Sequence, residues 1–186
     1  MTAIDIRHLA SWIGKTEQAA DMVTPGLVDR FRATFGRRLA ASPDAPLGIH
    51  WCLSPHAVAE DMLSEDGHLR RGGFLPPVPL PRRMWAGAEV DFISPIRIGA
   101  TVDRVSRVLD VVEKSGKSGR LVFVGVEHAL SCDGRPAIRE RHDIVYRAAA
   151  TGTPSPERGP QAIARAQVTE HVEATTTLLF RYSALT

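Results

Sequence analysis

The sequence has few cysteines, and their spacing excludes several classes of site. Only 2 of the 186 residues are cysteine, Cys52 and Cys132, and neither lies in a Cys-x-x-Cys or Cys/His ligand pattern. A disulfide framework or a metal site therefore has no support in the sequence. The sequence instead predicts two reduced, half-buried thiols, because free cysteine is readily buried.

Long apolar runs and an excess of one charge are also missing. No apolar stretch approaches the roughly 20 residues that cross a bilayer, and the N-terminus, MTAIDIRHLASWIG, lacks a basic-then-apolar signal pattern. The 23 Lys and Arg are offset by 21 Asp and Glu and are spread along the chain. We therefore expect a cytoplasmic protein with neither nucleic acid nor membrane as a partner.

The composition that is present is that of a globular protein. Apolar residues make up 44% and charged residues 24% of the chain, which is ordinary for a folded domain. At 186 residues the chain can hold one complete domain and a fragment of a second.

One helix is clearly delimited by its end residues. Thr24 can cap the free N–H groups, Pro25 suits the first helical position, and Gly36 suits the end. An apolar stripe with helical spacing lies between them, formed by Leu27, Val28, Phe31 and Phe35. Upstream, residues 4–20 could form a second short helix.

Residues 42–81 form a long segment rich in proline and glycine, which predicts irregular loop. A loop of this length inside a compact domain is usually functional. A flexible insertion is the alternative, but the segment carries apolar anchors: Trp51, Leu53, Met62, Phe74, Leu75 and Leu80.

Four strands are predicted after this loop, at residues 86–94, 101–112, 121–131 and 137–148, from alternation and β-branched content. The connections at 95–99, 115–119 and 133–134 have the chemistry of hairpins or tight crossovers. Long antiparallel strands twist strongly and can wrap a single helix. The pattern predicts an α+β protein, and another α+β sandwich topology stays open.

The domain organisation is predicted from a change in composition. Residues 1–148 form the folded domain, and 149–167 are small, polar and proline-containing, as linkers are. Residues 168–186 contain EATTTLLFRYSALT, a strand-like run that we interpret as the start of an incomplete second unit.

Three stretches carry a family resemblance: DGHLRRGGFLPPVPLPRRMWAGAEVDFISPIRIGATVDRVSRV, then EKSGKSGRLVFVGVEHAL, then IRERHDIVYR. They resemble the N-terminal half of MaoC-like hydratases and dehydratases, and among these they are similar to the mesaconyl-CoA (3-methylfumaryl-CoA) hydratase branch. The terminal LLFRYSALT resembles the stretch that leads into an Asn- and His-containing catalytic segment of the second repeat in that family.

The resemblance implies the hot-dog fold, in which a long antiparallel sheet wraps a central helix, and a hydro-lyase that acts on an acyl-CoA thioester. It also implies that the second repeat supplies the acid and base, while the first, represented by this chain, shapes the acyl pocket. No catalytic residue and no cofactor are therefore expected here. The expected partner is a second copy or a chain that carries a catalytic hot-dog repeat.

Two other functions stay open. The chain could be a non-catalytic hot-dog subunit that pairs with a separate catalytic chain. It could also be an acyl-CoA thioesterase on the same fold, for which the loop offers three carboxylates: Glu60, Asp61 and Glu65.

Six residues are candidates for substrate binding. Arg82 and Arg83 could bind a carboxylate or a CoA phosphate, although solvated charge or ion pairs with Glu89 or Asp91 would also explain them. Aromatic side chains that could line an acyl tunnel, or simply anchor the loop, are Trp51, Phe74 and Trp85. His68 lies in a loop turn where a substrate contact is plausible.

The other histidines and basic residues are interpreted as surface, structural or turn residues. His128 and His142 lie in predicted strands and are interpreted as surface or structural residues, and His50 and His56 show no functional pattern. The sequence SGKSG at 115–119 lacks P-loop spacing and is interpreted as a turn. Arg70 and Arg71 are expected to be solvated.

Overall fold

Five antiparallel strands form the frame of the chain in a computed structural model that describes residues 4–36, 39, 41–65, 67–116, 119–149 and 168–186. The strands are β1 (Thr16–Met22), β2 (Arg82–Phe92), β3 (Thr101–Gly116), β4 (Gly119–Cys132) and β5 (Arg135–Arg147). Their order across the sheet is β1-β3-β4-β5-β2. The predicted α+β class is confirmed.

Among the described residues, three helices and two short 3₁₀ turns accompany the sheet. The helices are α1 (Ile6–Ala10), α2 (Pro25–Phe35) and α3 (Thr176–Ser183), and the 3₁₀ turns are Ile49–Cys52 and Glu60–Met62. No helix in the described ranges has the length and apolar character to cross a membrane.

The predicted helix is confirmed with both of its end signals. The Leu27 N–H donates a 3.2 Å hydrogen bond to Oγ1 of Thr24, which caps α2. Gly36 ends the helix with a φ of 58°, a conformation that glycine adopts without strain. Val28 and Phe31 are buried, so the apolar stripe faces the protein interior.

The central strands confirm the predicted hairpins, with β3 and β4 longer than predicted and β5 starting two residues earlier and ending one residue earlier. β3 pairs with β4, and β4 with β5, in antiparallel register. Asp133 and Gly134 both have positive φ, 50° and 75°, as the tight turn between β4 and β5 requires. β2 instead pairs with β5 at the far edge, so residues 93–100 cross over the sheet.

The prediction for the N-terminal segment is wrong in its second half. Residues 4–20 were expected to be helical, but α1 ends at Ala10, and Thr16–Met22 forms β1. β1 is an edge strand that pairs with β3 from Thr16↔Arg107 to Met22↔Thr101. Its sequence is polar, so the backbone hydrogen bonds that define it come from a partner about 85 residues away that local sequence does not reveal.

The strand-like reading of the C-terminal segment is also wrong. Oγ1 of Thr175 accepts a 3.1 Å hydrogen bond from the Leu178 N–H, so α3 begins with a cap. Tyr182 of α3 stacks edge-on against Phe35 of α2, with ring centroids 5.7 Å apart. The C-terminal segment is therefore a helix, and its Tyr182 lies against α2. Residues 150–167 of the predicted linker lie outside the described residues.

One face of the sheet, here called the inner face, is covered by apolar groups at both ends. At one end α2 and the loop pack on the strands, with this buried set: Val23, Val28, Phe31, Ala45, Ile49, Cys52, Leu53, Ile96, Ala100, Val102, Leu130, Cys132, Ala137 and Ile138. At the other end α1 and the proline-rich segment pack on this set: Leu9, Val78, Val108, Val111, Val122, Val124, Val126 and Tyr146. The helix and the loop thus share one face.

Both thiols are buried and free. Burial raises the pKa of the Cys52 thiol to about 11, because the thiolate would be poorly solvated there. Reaction with oxidants or thiol reagents is correspondingly disfavoured.

Candidate functional site

The middle of the inner face, between its two apolar ends, is polar. Strand register places Ser106 opposite His128 and His128 opposite Glu140, so the three residues form a row across β3, β4 and β5. Residues directly opposite each other point to the same face. His142, two residues after Glu140, lies on that face by the period of two. Buried polar groups in such a row need partners.

Glu140 is the centre of this row and is almost fully buried, with 3% of its surface exposed. Its Oε1 lies 2.6 Å from Nε2 of His142 and accepts a 2.9 Å hydrogen bond from Nε1 of Trp51. Oε2 lies 3.5 Å from Nε2 of His50. Burial raises the pKa of Glu140, but these three donors together outweigh it and hold the pKa well below its usual range.

His128 is held neutral by its surroundings. Its Nδ1 lies 2.8 Å from Oγ of Ser106, and its ring meets that of His142 edge-on at 4.9 Å. Burial, and then the positive charge that His142 can carry, lower the pKa of His128 to about 4. His128 is therefore uncharged at neutral pH and can serve as donor or acceptor but not as a cation.

A cavity of about 390 Å³ lies over this polar row. The 3₁₀ turn Ile49–Cys52 and the proline-rich loop cover it, so the irregular segment does reach the centre of the sheet. The lining residues are Glu17, His50, Trp51, His56, His68, Phe74, Leu75, Arg104, Ser106, Val126, His128, Leu130, Glu140, His142 and Ile144. Nine of these fifteen side chains are polar or ionisable, and the other six form an apolar wall beside them. A concave site that combines an apolar wall with convergent polar groups suits a small molecule.

Arg104 reaches this cavity from β3, two residues before Ser106 on the same face. Its Nη1 lies 3.5 Å from the carbonyl oxygen of Leu53, a long contact. Its Nε is buried and has no hydrogen-bond partner in the part of the chain that the structure describes. The guanidinium therefore has donor capacity that its own domain leaves unused.

A second cavity, of about 570 Å³, lies on the other side of His50. Its lining is mostly apolar and includes Ile49, Phe92, Ile96 and Ile138. Ser106, His128 and Glu140 line the cavity of about 390 Å³ and do not line the cavity of about 570 Å³. We therefore take the first cavity as the candidate site.

The structure brings together three of the six residues predicted to bind substrate. Trp51, His68 and Phe74 all line the cavity, and Trp51 also donates to Glu140. Arg82 and Arg83 begin the edge strand β2 at the end of the proline-rich loop, and Trp85 follows in the same strand, but none of the three lines this cavity. Trp85 is 68% exposed.

Several lining residues were missed in the sequence because each looks ordinary alone. His128, His142 and His50 were assigned structural or no roles, and Glu140 and Arg104 were not considered. The sequence signal that could have found them is the alternation of side chains along β5, which puts one set of residues on one face: Ile138, Glu140, His142, Ile144 and Tyr146. A carboxylate and an imidazole among apolar residues on a buried face are unusual.

Arg71 is not solvated, contrary to expectation. Its guanidinium donates to the backbone carbonyl oxygens of Val78, Leu80 and Pro81, the first at 2.7 Å and the last at 2.9 Å. It also lies over the ring of Tyr146, 5.2 Å from the ring centroid. Arg71 therefore fastens the proline-rich loop over one end of the inner face.

The described residues contain no group of three or more His, Cys, Asp or Glu that could hold a metal ion. The chemistry available at the cavity is that of two carboxylates, five imidazoles, one guanidinium, one hydroxyl and one indole N–H.

Comparison with known proteins agrees with this architecture. The family model described as hydroxyacyl-thioester dehydratase type 2 matches residues 48–186. A mesaconyl-C(4)-CoA hydratase of Chloroflexus aurantiacus is 39% identical over 180 residues, covering 95% of this chain and 64% of that protein. The crystal structure of HtdX of Mycobacterium tuberculosis aligns over 91% of this chain and 60% of that chain, with 17% identity and a TM-score of 0.52.

The fold and cavity together define a hot-dog α+β protein, as the resemblance implied. The chain belongs to the hydroxyacyl-thioester dehydratase type 2 family. It spans 64% of the length of the curated relative that it matches.

Proposed function

We propose that this chain supplies the acyl pocket of a hydro-lyase that adds water to, or removes it from, an acyl-CoA thioester. The cavity over the Glu140 row carries the proposal, because it combines an apolar wall with polar groups held in place on the sheet. Family membership supports the thioester class. The name of the Chloroflexus relative supports mesaconyl-CoA, whose acyl group bears a second carboxylate, as the particular substrate.

Hydration of an enoyl thioester places water on the β-carbon while negative charge develops on the thioester oxygen. The reaction needs a base near the working pH and fixed donors for that oxygen. Glu140 fits neither role, because a carboxylate whose pKa is held this low is a weak base. Its geometry suits a positioning role, since it orients His142 and Trp51 toward the cavity.

We therefore propose that the acid and base come from a further hot-dog repeat, in the same protein or in a partner chain. The match to only 64% of the relative's length supports this division. The thioesterase alternative has less support, because Glu60, Asp61 and Glu65 are exposed in the loop and do not line the cavity.

The test compares binding with turnover. Calorimetric titration of the 186-residue chain with crotonyl-CoA and mesaconyl-CoA should show binding, while the absorbance of the enoyl thioester should stay constant. Absence of binding in folded protein would refute the acyl-pocket proposal. Hydration by the chain alone would refute the proposal that a further repeat supplies the acid and base, and would place both groups within these residues.

A substitution that fills the cavity tests whether the thioesters bind inside it. Ile144→Phe adds volume inside the cavity and should weaken binding of both thioesters at least about tenfold. Val105→Phe, on β3 and exposed, makes the same kind of change away from the cavity and should leave binding unchanged. Equal effects of the two variants would mean that the thioesters bind elsewhere.

A further inference from the structure

The ionisable groups of the cavity are unequally matched. The lining contains two carboxylates, those of Glu17 and Glu140. It also contains the guanidinium of Arg104 and five imidazoles, those of His50, His56, His68, His128 and His142. Glu140 is already engaged by His142, Trp51 and His50. His128 is uncharged, so the lining can hold an anion through the charge of Arg104 and through imidazole N–H groups that donate hydrogen bonds.

Arg104 is the permanent cation in this set, because a guanidinium stays protonated in proteins. It forms no ion pair with a carboxylate of the described residues, and its buried Nε has no hydrogen-bond partner there. A buried charged donor without a partner is costly, and such a group in a native structure calls for an explanation. A ligand anion that enters the cavity would supply the missing acceptor.

We infer that Arg104 binds a second carboxylate on the acyl group, so that the pocket selects CoA monothioesters of dicarboxylic acids. The inference rests on the proposed function and assigns the residue of that same pocket that recognises the second carboxylate. A carboxylate can accept two parallel hydrogen bonds from a guanidinium, and this geometry adds specificity as well as affinity. Arg104 takes the role that Arg82 and Arg83 had in the sequence-based hypothesis, because Arg104 is the arginine that lines the cavity.

Position supports this assignment over a structural role. Arg104 lies on the inner face beside Ser106 and His128, and its contact with the Leu53 carbonyl is long, so that contact contributes little to holding the loop. Arg71, by comparison, donates to three backbone carbonyl oxygens and shows what a structural arginine looks like in this chain.

The experiment uses two saturated thioesters that cannot be hydrated and differ only at the far end of the acyl chain. Succinyl-CoA ends in a carboxylate and butyryl-CoA ends in a methyl group. Calorimetric titration of the full 186-residue chain gives both dissociation constants for the wild type, Arg104→Gln, Arg104→Lys and Arg107→Gln. Arg107 is exposed on the same strand and does not line the cavity, so it is the matched control.

The expected result is selective. Arg104→Gln should weaken succinyl-CoA binding about 10- to 100-fold, the range for loss of charge-assisted hydrogen bonds, and change butyryl-CoA binding less than about threefold. Arg104→Lys should recover part of the preference for succinyl-CoA, because it restores the charge. Arg107→Gln should match the wild type with both ligands.

Two outcomes would overturn the inference and leave the proposed function standing. One is an unchanged ratio of the two dissociation constants in Arg104→Gln. The other is a parallel loss of both ligands in Arg104→Gln and Arg104→Lys, which would make Arg104 a structural residue. If the wild type binds neither thioester, the proposed function fails together with the inference, and this result is distinct from the other two.

Discussion

The indole Nε1 of Trp51 donates a 2.9 Å hydrogen bond to Oε1 of Glu140, and this bond joins the proline-rich loop to the middle of the sheet. The two residues are 89 positions apart in the chain. Glu140 in turn holds His142 at 2.6 Å. One buried carboxylate therefore fixes both the cover of the cavity and the imidazole that faces it.

Replacing Glu140 by Gln should lower the free energy of unfolding at pH 7 by about 1–3 kcal/mol, because the donors around it lose a charged acceptor. The folded pKa of Glu140 is lowered, so its stabilisation is present above the unfolded value of about 4.3 and is lost as pH falls toward the folded value. Urea unfolding of the wild type and Glu140→Gln at pH 7 and pH 3.5 should show a smaller acid loss in the variant.

Glu127→Gln is the control for this prediction. Glu127 pairs with Arg139, whose side chain is 67% exposed, and loss of such a surface pair should cost about 0–1 kcal/mol. Equal destabilisation in the two variants would contradict the central role of Glu140.

His128 should make the protein acid-sensitive in a separate pH range. Its folded pKa is about 4 and its unfolded pKa is about 6.5, so between these values the unfolded state binds more protons and stability falls as pH decreases. The loss from pH 7 to pH 4.5 should reach about 2–3 kcal/mol at most. His128→Asn keeps a polar partner for Ser106 and should flatten the profile in urea unfolding. An unchanged slope would show that folding does not lower the pKa of His128.

Packing of α2 on the sheet should contribute strongly to stability. Phe31 is buried in the cluster that α2 forms with β3, β4 and β5. Phe31→Ala should lower the free energy of unfolding by about 3–5 kcal/mol through lost burial and a residual cavity. Phe180→Ala on α3, where the side chain is 75% exposed, should change it by less than about 0.5 kcal/mol. Thermal unfolding followed by circular dichroism would rank the two variants, and similar values would refute the assignment of the core.

Arg71 should control the order of the loop over the inner face. Arg71→Ala removes the donors to the carbonyls of residues 78, 80 and 81, so hydrogen exchange should accelerate about tenfold or more at the amides of Phe74, Leu75, Val78 and Leu80, the residues of 74–81 that are not proline. Exchange in β4 should be unaffected. Arg70→Ala is the neighbouring control, because the Arg70 side chain is exposed. Unchanged exchange in the loop would mean that packing alone, without Arg71, holds it.

Much of the fold could be predicted from local chemistry. Thr24, Pro25 and Gly36 delimit α2 because caps and glycine act over a few residues, and Asp133-Gly134 defines the turn between β4 and β5 for the same reason. The family resemblance was likewise legible in the sequence and is confirmed by the matching family model. Trp51, His68 and Phe74 could be nominated because they stand in a long loop that carries apolar anchors.

The sequence by itself determined α2 and the long strands β3, β4 and β5, because their end signals and side-chain alternation depend on neighbours within a turn or a hairpin. Only the tertiary structure decided that Thr16–Met22 is a strand, that Thr176–Ser183 is a helix packed on α2, and that Arg104 and Glu140 share one cavity. Each of these depends on strand register or on packing between residues far apart in the chain. Alternation along a strand shows which residues share a face, but the pairing of strands decides which of them meet across it.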